Sequence, residues 1–292
     1  PRGHYCPRET TTPFKCPPGT FNNKTGATEP SDCTPCTPGM YCEGYGNTDP
    51  DGPCDKGWYC ERAAYSKRPL PNVNLTFNNS MDFTCPLYSV NFTGGICPLG
   101  HFCPEGSAEP KRCLKGRYCG QEGLAEPQGN CTAGYYCSGG DIISNPRNCT
   151  AGYYCPEGTE IEIACPVGTF SPYVGKSKEE DCLNCTAGYY CPLPGATEVL
   201  FLCLQGYYCP SGSTHNSTVI CPRGSSCPTG VGQPQNCVPG EYQDEEGQYQ
   251  CKVCPAGYYC DPATNLTGVI YPTKCLAGSY CPSGTKTGKQ FP

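Results

Sequence analysis

The chain has 292 residues, of which 30 are Cys, 37 Gly and 33 Pro, and its formal net charge is −6. Such a cysteine density is typical of a disulfide scaffold in an oxidising compartment. The sequence has no apolar run near the roughly 20 residues of a membrane span and no Lys/Arg cluster that would suit nucleic acid. We therefore expect neither membrane insertion by this segment nor nucleic-acid binding.

A seven-residue unit, Cys-x-x-Gly-x-aromatic-Cys, recurs from one end of the chain to the other. A first copy has Gly3, Tyr5 and Cys6 but lacks its leading cysteine, so we expect Cys6 to pair upstream of Pro1. Eleven complete copies begin at Cys36, Cys54, Cys97, Cys113, Cys131, Cys149, Cys185, Cys203, Cys221, Cys254 and Cys275. This pattern predicts small disulfide-rich repeats in an elongated, solenoid-like rod with little regular secondary structure, short β-hairpins at most.

The residue before the second cysteine of a copy is aromatic in every copy except one, where it is Ser226. Because aliphatic residues are scarce, these rings are predicted to stack between neighbouring repeats. The tyrosines given this packing role are Tyr41, Tyr59, Tyr118, Tyr136, Tyr154, Tyr190, Tyr208, Tyr259 and Tyr280. The glycine of each copy is predicted to lie in a turn with positive φ or to make a close backbone approach.

Three spacers between copies carry two additional cysteines, one separated from the preceding copy by nine residues and one separated from the next copy by two residues. Nine and two residues together equal the eleven-residue spacer that usually separates two copies, as between Cys137 and Cys149, so each addition is interpreted as a closed loop insert. The predicted bridges are Cys16–Cys33, Cys165–Cys182 and Cys237–Cys251. The other cysteines pair either within each copy or from one copy to the next, and the sequence leaves both schemes open.

An irregular stretch over residues 61–96 divides the array into cysteine-rich repeats at 1–60 and at 97–292, the latter with loop inserts at 165–182 and 237–251. The stretch is rich in Asn and Pro and is interpreted as a glycosylated insertion or hinge; a partner-contact site is the alternative. It also holds Cys85, which has no partner if cysteines pair within copies.

Nine Asn-x-Ser/Thr sequons predict covalent N-glycans, and no other cofactor is expected. Three of them lie in the octapeptide NCTAGYYC, at 130–137, 148–155 and 184–191, where a glycan would sit beside a disulfide. Alternatively, Asn suits the turn before Cys and Thr follows by repeat duplication. The nine residues are Asn23, Asn74, Asn78, Asn91, Asn130, Asn148, Asn184, Asn216 and Asn265.

The sequence offers no candidate catalytic or metal-binding residue, and enzyme activity is not expected. The Cys-x-x-Cys pairs at 33/36, 182/185 and 251/254 are far apart, whereas a zinc site needs four ligands together. They are interpreted as structural disulfides. The acidic run at 244–246 lacks the spacing of a calcium loop and is interpreted as a solvated loop tip.

Two segments resemble ephrin-receptor-like cysteine-rich repeats, which are related in style to tumour-necrosis-factor-receptor modules. They are Cys-Pro-Pro-Gly-Thr-Phe at 16–21, continuing to Cys33-Thr-Pro-Cys36, and Cys-Pro-Val-Gly-Thr-Phe at 165–170, continuing to Cys182-Leu-Asn-Cys185. The shorter Cys-x-x-Gly-Tyr-Tyr-Cys-Pro units are similar to arrays in surface and flagellar-hair (mastigoneme-type) glycoproteins of protists and algae. The resemblance implies an extracellular location and bridges within the longer modules.

Two functions are consistent with these features. The first is a structural glycoprotein that assembles with itself or with other extracellular fibre proteins into a glycan-coated filament or surface appendage. The second is the ligand-binding ectodomain of a receptor. A ligand site should be a locally distinctive patch, whereas this array repeats nearly the same surface, so the structural function is preferred.

Overall fold

The computed structural model describes residues 1–70, 74–76, 89–91, 93–262 and 268–289 of the chain. Within these ranges there is no α-helix, and every strand belongs to a two-stranded antiparallel sheet. Short 3₁₀ turns lie at Pro30–Asp32 and Glu179–Asp181. The predicted class, small disulfide-rich repeats with short hairpins and little other secondary structure, is confirmed. Cys85, Asn78 and Asn265 lie outside the described residues.

Most strands are two residues long. In chain order they are β1 His4–Tyr5, β2 Phe14–Lys15, β3 Thr20–Phe21, β4 Thr34–Pro35, β5 Met40–Tyr41, β6 Gly52–Pro53, β7 Trp58–Arg62, β8 Asn74–Thr76, β9 Ser89–Asn91, β10 Thr93–Ile96, β11 His101–Phe102, β12 Lys111–Arg112, β13 Arg117–Tyr118, β14 Gly129–Asn130, β15 Tyr135–Tyr136, β16 Arg147–Asn148, β17 Tyr153–Tyr154, β18 Ile163–Ala164, β19 Thr169–Phe170, β20 Leu183–Asn184, β21 Tyr189–Tyr190, β22 Phe201–Leu202, β23 Tyr207–Tyr208, β24 Val219–Ile220, β25 Ser225–Ser226, β26 Gln235–Asn236, β27 Glu241–Tyr242, β28 Lys252–Val253, β29 Tyr258–Tyr259 and β30 Thr273–Lys274.

The repeat is a hairpin that begins with a glycine turn. In the repeat that starts at Cys131, the N–H of Tyr135 donates to the carbonyl of Thr132 at 3.0 Å, and Gly134 between them has φ +86°. A type II turn requires positive φ at this position, which explains the glycine. The strand that follows pairs with the two residues before the next cysteine, so that Tyr135 faces Asn148 and Tyr136 faces Arg147.

The structure decides between the two disulfide schemes that the sequence left open. Each complete copy of the unit is closed by its own bridge, as in Cys131–Cys137. The other within-copy bridges are Cys36–Cys42, Cys54–Cys60, Cys97–Cys103, Cys113–Cys119, Cys149–Cys155, Cys185–Cys191, Cys203–Cys209, Cys221–Cys227, Cys254–Cys260 and Cys275–Cys281. Among the cysteines of the described ranges, Cys6 alone has no bridge.

The buried interior consists mainly of these half-cystines. Both Cys131 and Cys137 are fully buried, and few aliphatic side chains accompany them inside. A typical cluster contains Cys54, Cys60 and Ala64, with the ring of Tyr41 packed against it. Disulfides and short backbone contacts therefore take the place of a conventional hydrophobic core, as is common in secreted domains with few apolar residues.

The segments interpreted as loop inserts are repeats in their own right. The bridges Cys16–Cys33, Cys165–Cys182 and Cys237–Cys251 are present. The residues after Cys16 follow the same Cys-x-x-Gly-x-aromatic order and form the hairpin β3–β4, and β19–β20 and β27–β28 repeat this arrangement. The second-cysteine position is held by a buried Asn22, Ser171 or Gln243. Each segment is thus a repeat with a different bridge, not a loop within a spacer.

The irregular stretch at 61–96 lies inside one repeat. Strand β7 of the repeat at Cys54 pairs with β10, and β8 pairs with β9 between them. The domain boundaries 1–60, 61–96 and 97–292 stay a prediction. By its internal contacts the chain forms two compact units: Pro1–Asn148 with Pro156–Ile161, and Cys149–Cys155 with Glu162–Pro292.

Candidate functional site: the inter-repeat contact and the pre-cysteine position

Neighbouring repeats are joined by a recurring set of backbone hydrogen bonds. In the repeat at Cys113, the N–H of Gly116 donates to the carbonyl of Cys137 in the next repeat at 2.8 Å. The N–H of Cys131 returns a hydrogen bond of 2.8 Å to the carbonyl of Gly116. The N–H of Cys119 donates to Asp141, also in the next repeat, at 2.8 Å. These bonds satisfy buried backbone groups that a loop-rich chain would otherwise leave unpaired.

Repeats two places apart meet through pairs of glycines. A Cβ on Gly100, whose φ is +74°, would lie 2.7 Å from the carbonyl oxygen of Gly140, two repeats ahead. Real Cβ atoms essentially never come so close, so the contact needs glycine. Within each compact unit the same contact joins Gly3 to Gly46, Gly39 to Gly106, Gly57 to Gly123, Gly116 to Gly158, Gly152 to Gly195, Gly168 to Gly212, Gly188 to Gly230, Gly206 to Gly247 and Gly240 to Gly284.

The residue immediately before the first cysteine of a repeat, here called the pre-cysteine position, lies over the second glycine of these pairs. Asn130 has its Cγ 3.7 Å from the Cβ position of Gly158, and Asn184 has its Oδ1 3.8 Å from that of Gly212. At Asn130, Asn148 and Asn184 the position carries the sequon asparagine, and all three are exposed. In four other repeats it carries an exposed aliphatic side chain, Ile96, Leu202, Ile220 or Val253, and in three it carries a basic one, Lys15, Arg112 or Lys274.

The polar side chains of the sequon at Asn130 form hydrogen bonds with other residues of the array. Arg117 Nε donates to Asn130 Oδ1 at 3.2 Å, and Asn130 Nδ2 donates to a carboxylate oxygen of Glu157 at 3.2 Å. The hydroxyl of Thr132 donates to Ser144 Oγ at 2.9 Å. Between these two residues, Cys131 is fully buried. The Asn130 and Thr132 side chains of this sequon are therefore held by separate partners, with a buried half-cystine between them.

The other predicted glycosylation sites are placed differently. Asn23 and Asn216 are exposed and have no cysteine in their sequons. Asn74 faces Asn91 across the hairpin β8–β9. That any of the nine asparagines carries a glycan stays a prediction.

The predicted packing tyrosines are half-buried, except Tyr280, which is exposed. Two of them contact their cross-strand partners: the rings of Tyr190 and Phe201 are 5.4 Å apart, and the Arg147 guanidinium lies 6.0 Å from the centre of the Tyr136 ring. That the rings of the nine predicted packing tyrosines stack between neighbouring repeats stays a prediction. The sequence analysis did not predict the glycine pairs. The signal for them was the second glycine, which in most repeats lies three or four residues after the second-cysteine position.

The groups considered for metal binding are occupied by other interactions. In the pair Cys33/Cys36, each sulfur belongs to a different disulfide. Lys252 Nζ lies 2.8 Å from Asp244 Oδ1 in the acidic run at 244–246, and this hydrogen bond lowers the pKa of the Asp244 carboxyl. In the described ranges, no helix has the length and apolarity needed to cross a membrane.

No protein-family model matches the chain. Over 58 residues it is 34% identical to the "Sushi, von Willebrand factor type A, EGF and pentraxin domain-containing protein 1" of Mus musculus, and the same holds for the protein of that name from Rattus norvegicus. The match covers 20% of this chain but 2% of either relative. With its disulfides, this similarity identifies the chain as a disulfide-rich repeat protein of extracellular type. The closer resemblance to ephrin-receptor-like repeats stays a prediction.

Proposed function

We propose that the chain is part of an extracellular structural glycoprotein, without enzyme activity, that packs into a glycan-coated filament or surface appendage. The observation that carries this proposal is the recurrence of one set of contacts: in both compact units the same backbone bonds join successive repeats and the same glycine pairs join alternate repeats. Each repeat is defined by its neighbours, as in other repeat arrays. Such a design supports extension by addition of repeats more readily than it supports one binding pocket.

The surface for packing against a second copy is proposed to lie where the repeat at Cys185 meets the repeat at Cys203. Five exposed apolar side chains are concentrated between residues 193 and 204: Leu193, Leu200, Phe201, Leu202 and Leu204. The pre-cysteine position of the next repeat is here Leu202, in place of a sequon asparagine. Residues 193–204 contain no sequon, and their exposed apolar side chains suit lateral contact between chains. The predicted glycan at Asn216, whose carbonyl accepts a hydrogen bond from the Leu204 N–H at 2.8 Å, would border this contact.

The test is electron microscopy of the native material together with the self-association of two variants. Leu202→Asp places a charge in the proposed contact, and Ile96→Asp makes the same change at an equivalent exposed position outside it. We expect fibrils in the native material and weaker association for Leu202→Asp alone. Dispersed particles, with both variants behaving like the unaltered chain, would contradict the filament proposal.

The same apolar concentration also suits the second candidate, a ligand-binding ectodomain, because a soluble partner would cover these exposed side chains. A receptor would remain dispersed in the micrographs. Its Leu202→Asp variant would lose a soluble partner and keep its own oligomeric state.

A further inference from the structure

We infer that N-glycan transfer to Asn130, Asn148 and Asn184 must precede closure of the disulfide that begins inside each sequon, so that the two reactions compete. The inference rests on the proposed extracellular route, which brings the chain past both reactions. The juxtaposition that carries it is a half-cystine at the middle position of each sequon: Cys131, Cys149 and Cys185, all fully buried in the folded repeat.

The folded repeat is a poor acceptor for a transferase. The enzyme must reach the Asn amide and the Thr hydroxyl of one sequon together, on an extended segment free of its own fold. In the repeat at Cys131, the Thr132 N–H and hydroxyl are held by Ser144, at 2.7 Å and 2.9 Å. Asn130 is held in strand β14, where it pairs with Arg117. An enzyme would have to open the hairpin and lift Cys131 out of its buried position.

The finished structure nevertheless accommodates the product. Asn130 is exposed, and its Nδ2 donates to Glu157. A glycosylated amide keeps one N–H, which suffices for that hydrogen bond. The sugar would leave the surface beside the second glycine of the pair, Gly158, which presents no side chain to obstruct it. Glycosylation of Asn130 is therefore limited by whether glycan transfer precedes disulfide closure, and not by the space available for the sugar.

Both reactions consume groups of the same three-residue segment. In transfer, a bond forms between Asn Nδ2 and the anomeric carbon of a lipid-linked oligosaccharide. The bond from that carbon to the lipid diphosphate breaks, the diphosphate leaves with the electron pair, and an amide proton passes to a base of the transferase. In closure, the thiols of Cys131 and Cys137 lose two protons and two electrons to the disulfide of a carrier protein, which is reduced to a dithiol.

Closure is kinetically favourable because its two cysteines are only six residues apart. At about 5–20 residues per second of synthesis, Cys137 follows Cys131 within roughly a second. Closing so short a loop is far faster than thiol–disulfide chemistry, which takes seconds or longer. The time available for glycan transfer is thus set by the rate at which the oxidant forms the disulfide. The sequons of Asn23 and Asn216 contain no cysteine and serve as internal controls.

The experiment expresses the whole chain in eukaryotic secretory cells and measures occupancy at each sequon by glycopeptide mass spectrometry. A brief pulse of membrane-permeant oxidant during synthesis should lower occupancy at Asn130, Asn148 and Asn184, and a pulse of reductant should raise it wherever it is incomplete. Occupancy at Asn23 and Asn216, whose sequons contain no cysteine, should change less than at these three sites. If occupancy at the three sites is insensitive to both pulses, the order of reactions is wrong.

A pair of variants tests the same point without added reagents. Cys137→Ala removes the bridge but leaves the sequon Asn130-Cys131-Thr132 intact, so occupancy at Asn130 should stay high during an oxidant pulse. Cys209→Ala removes a bridge whose first cysteine belongs to no sequon, and Asn130 should then respond as in the unaltered chain. If the oxidant pulse lowers occupancy at Asn130 equally in the two variants, the inference is overturned. If a variant fails to fold, the pulse experiment on the unaltered chain decides. Absence of glycan at all sites, Asn23 and Asn216 included, would instead contradict the glycoprotein proposal.

Discussion

Replacing Gly100 by alanine tests whether contacts between repeats two places apart stabilise the array. The residue has φ +74°, and its Cβ would lie 2.7 Å from the carbonyl oxygen of Gly140. The left-handed conformation costs alanine about 1–2 kcal/mol, and forcing a methyl group into a filled contact costs about 1–3 kcal/mol. We therefore expect the variant to lose about 2–5 kcal/mol of unfolding free energy, the sum of these two effects.

The matched control is Gly257→Ala. Gly257 occupies the same position of its repeat with φ +85°, but a Cβ there meets nothing within 4 Å. It should show only the conformational cost of about 1–2 kcal/mol. Denaturant unfolding with the disulfides intact gives the free energies, and hydrogen exchange at the Gly140 N–H, which donates to Cys113, locates the change. Equal losses in the two variants, with unchanged exchange at Gly140, would refute the contact between alternate repeats.

Three further outcomes are expected. Ala63 has φ +56° where most other repeats have glycine, and its N–H donates to Cys36 at 3.1 Å; Ala63→Gly should stabilise the protein by about 1 kcal/mol in thermal unfolding, and a loss would contradict the turn assignment. The N–H of Ser177 donates to the Asp181 carboxylate and lowers its pKa. That stabilisation is present above the unfolded pKa of about 3.9 and is lost as pH falls through the lower folded pKa; an NMR titration should show this loosening, and Asp181→Asn should abolish it. Reduction should eliminate the hairpin signal in far-UV circular dichroism, and a spectrum indifferent to reductant would contradict the disulfide architecture.

The repeat was predictable from the sequence because its markers are chemically strict. A cysteine that must bond and a glycine that must take positive φ tolerate few substitutes, so their spacing survives in every copy. The bridge Cys16–Cys33 followed from the same spacing. By contrast, the strand before each new repeat had no pattern to find. It reads Arg147-Asn148 in one repeat and Phe201-Leu202 in another, and two residues are too few for alternation to show.

Two features escaped because they depend on three-dimensional arrangement. The array's period fixes how far apart glycines lie in sequence but not which repeats touch, so the contact of Gly100 with Gly140 was invisible. A motif that is defined by its second cysteine does not detect the repeats at Cys16, Cys165 and Cys237 and predicts inserts there instead. Cys-x-x-Gly-x-aromatic alone would have found them.

Those three repeats show what defines the fold. At the second-cysteine position, Asn22, Ser171 and Gln243 keep the backbone hydrogen bond that a half-cystine makes elsewhere: the N–H of Ser171 donates to Ala196 in the next repeat at 2.9 Å, as that of Cys191 donates to Ser213. The partner cysteine of the bridge stands instead immediately before the far strand of the hairpin, as Cys33 does before β4. The disulfides therefore restrict the conformations of the unfolded chain, while the backbone hydrogen bonds and glycine contacts specify how repeats join. Because the bridge is interchangeable whereas the first glycine of each pair, such as Gly100, is present in every repeat, substitutions at that glycine should damage the array more than relocation of a disulfide does.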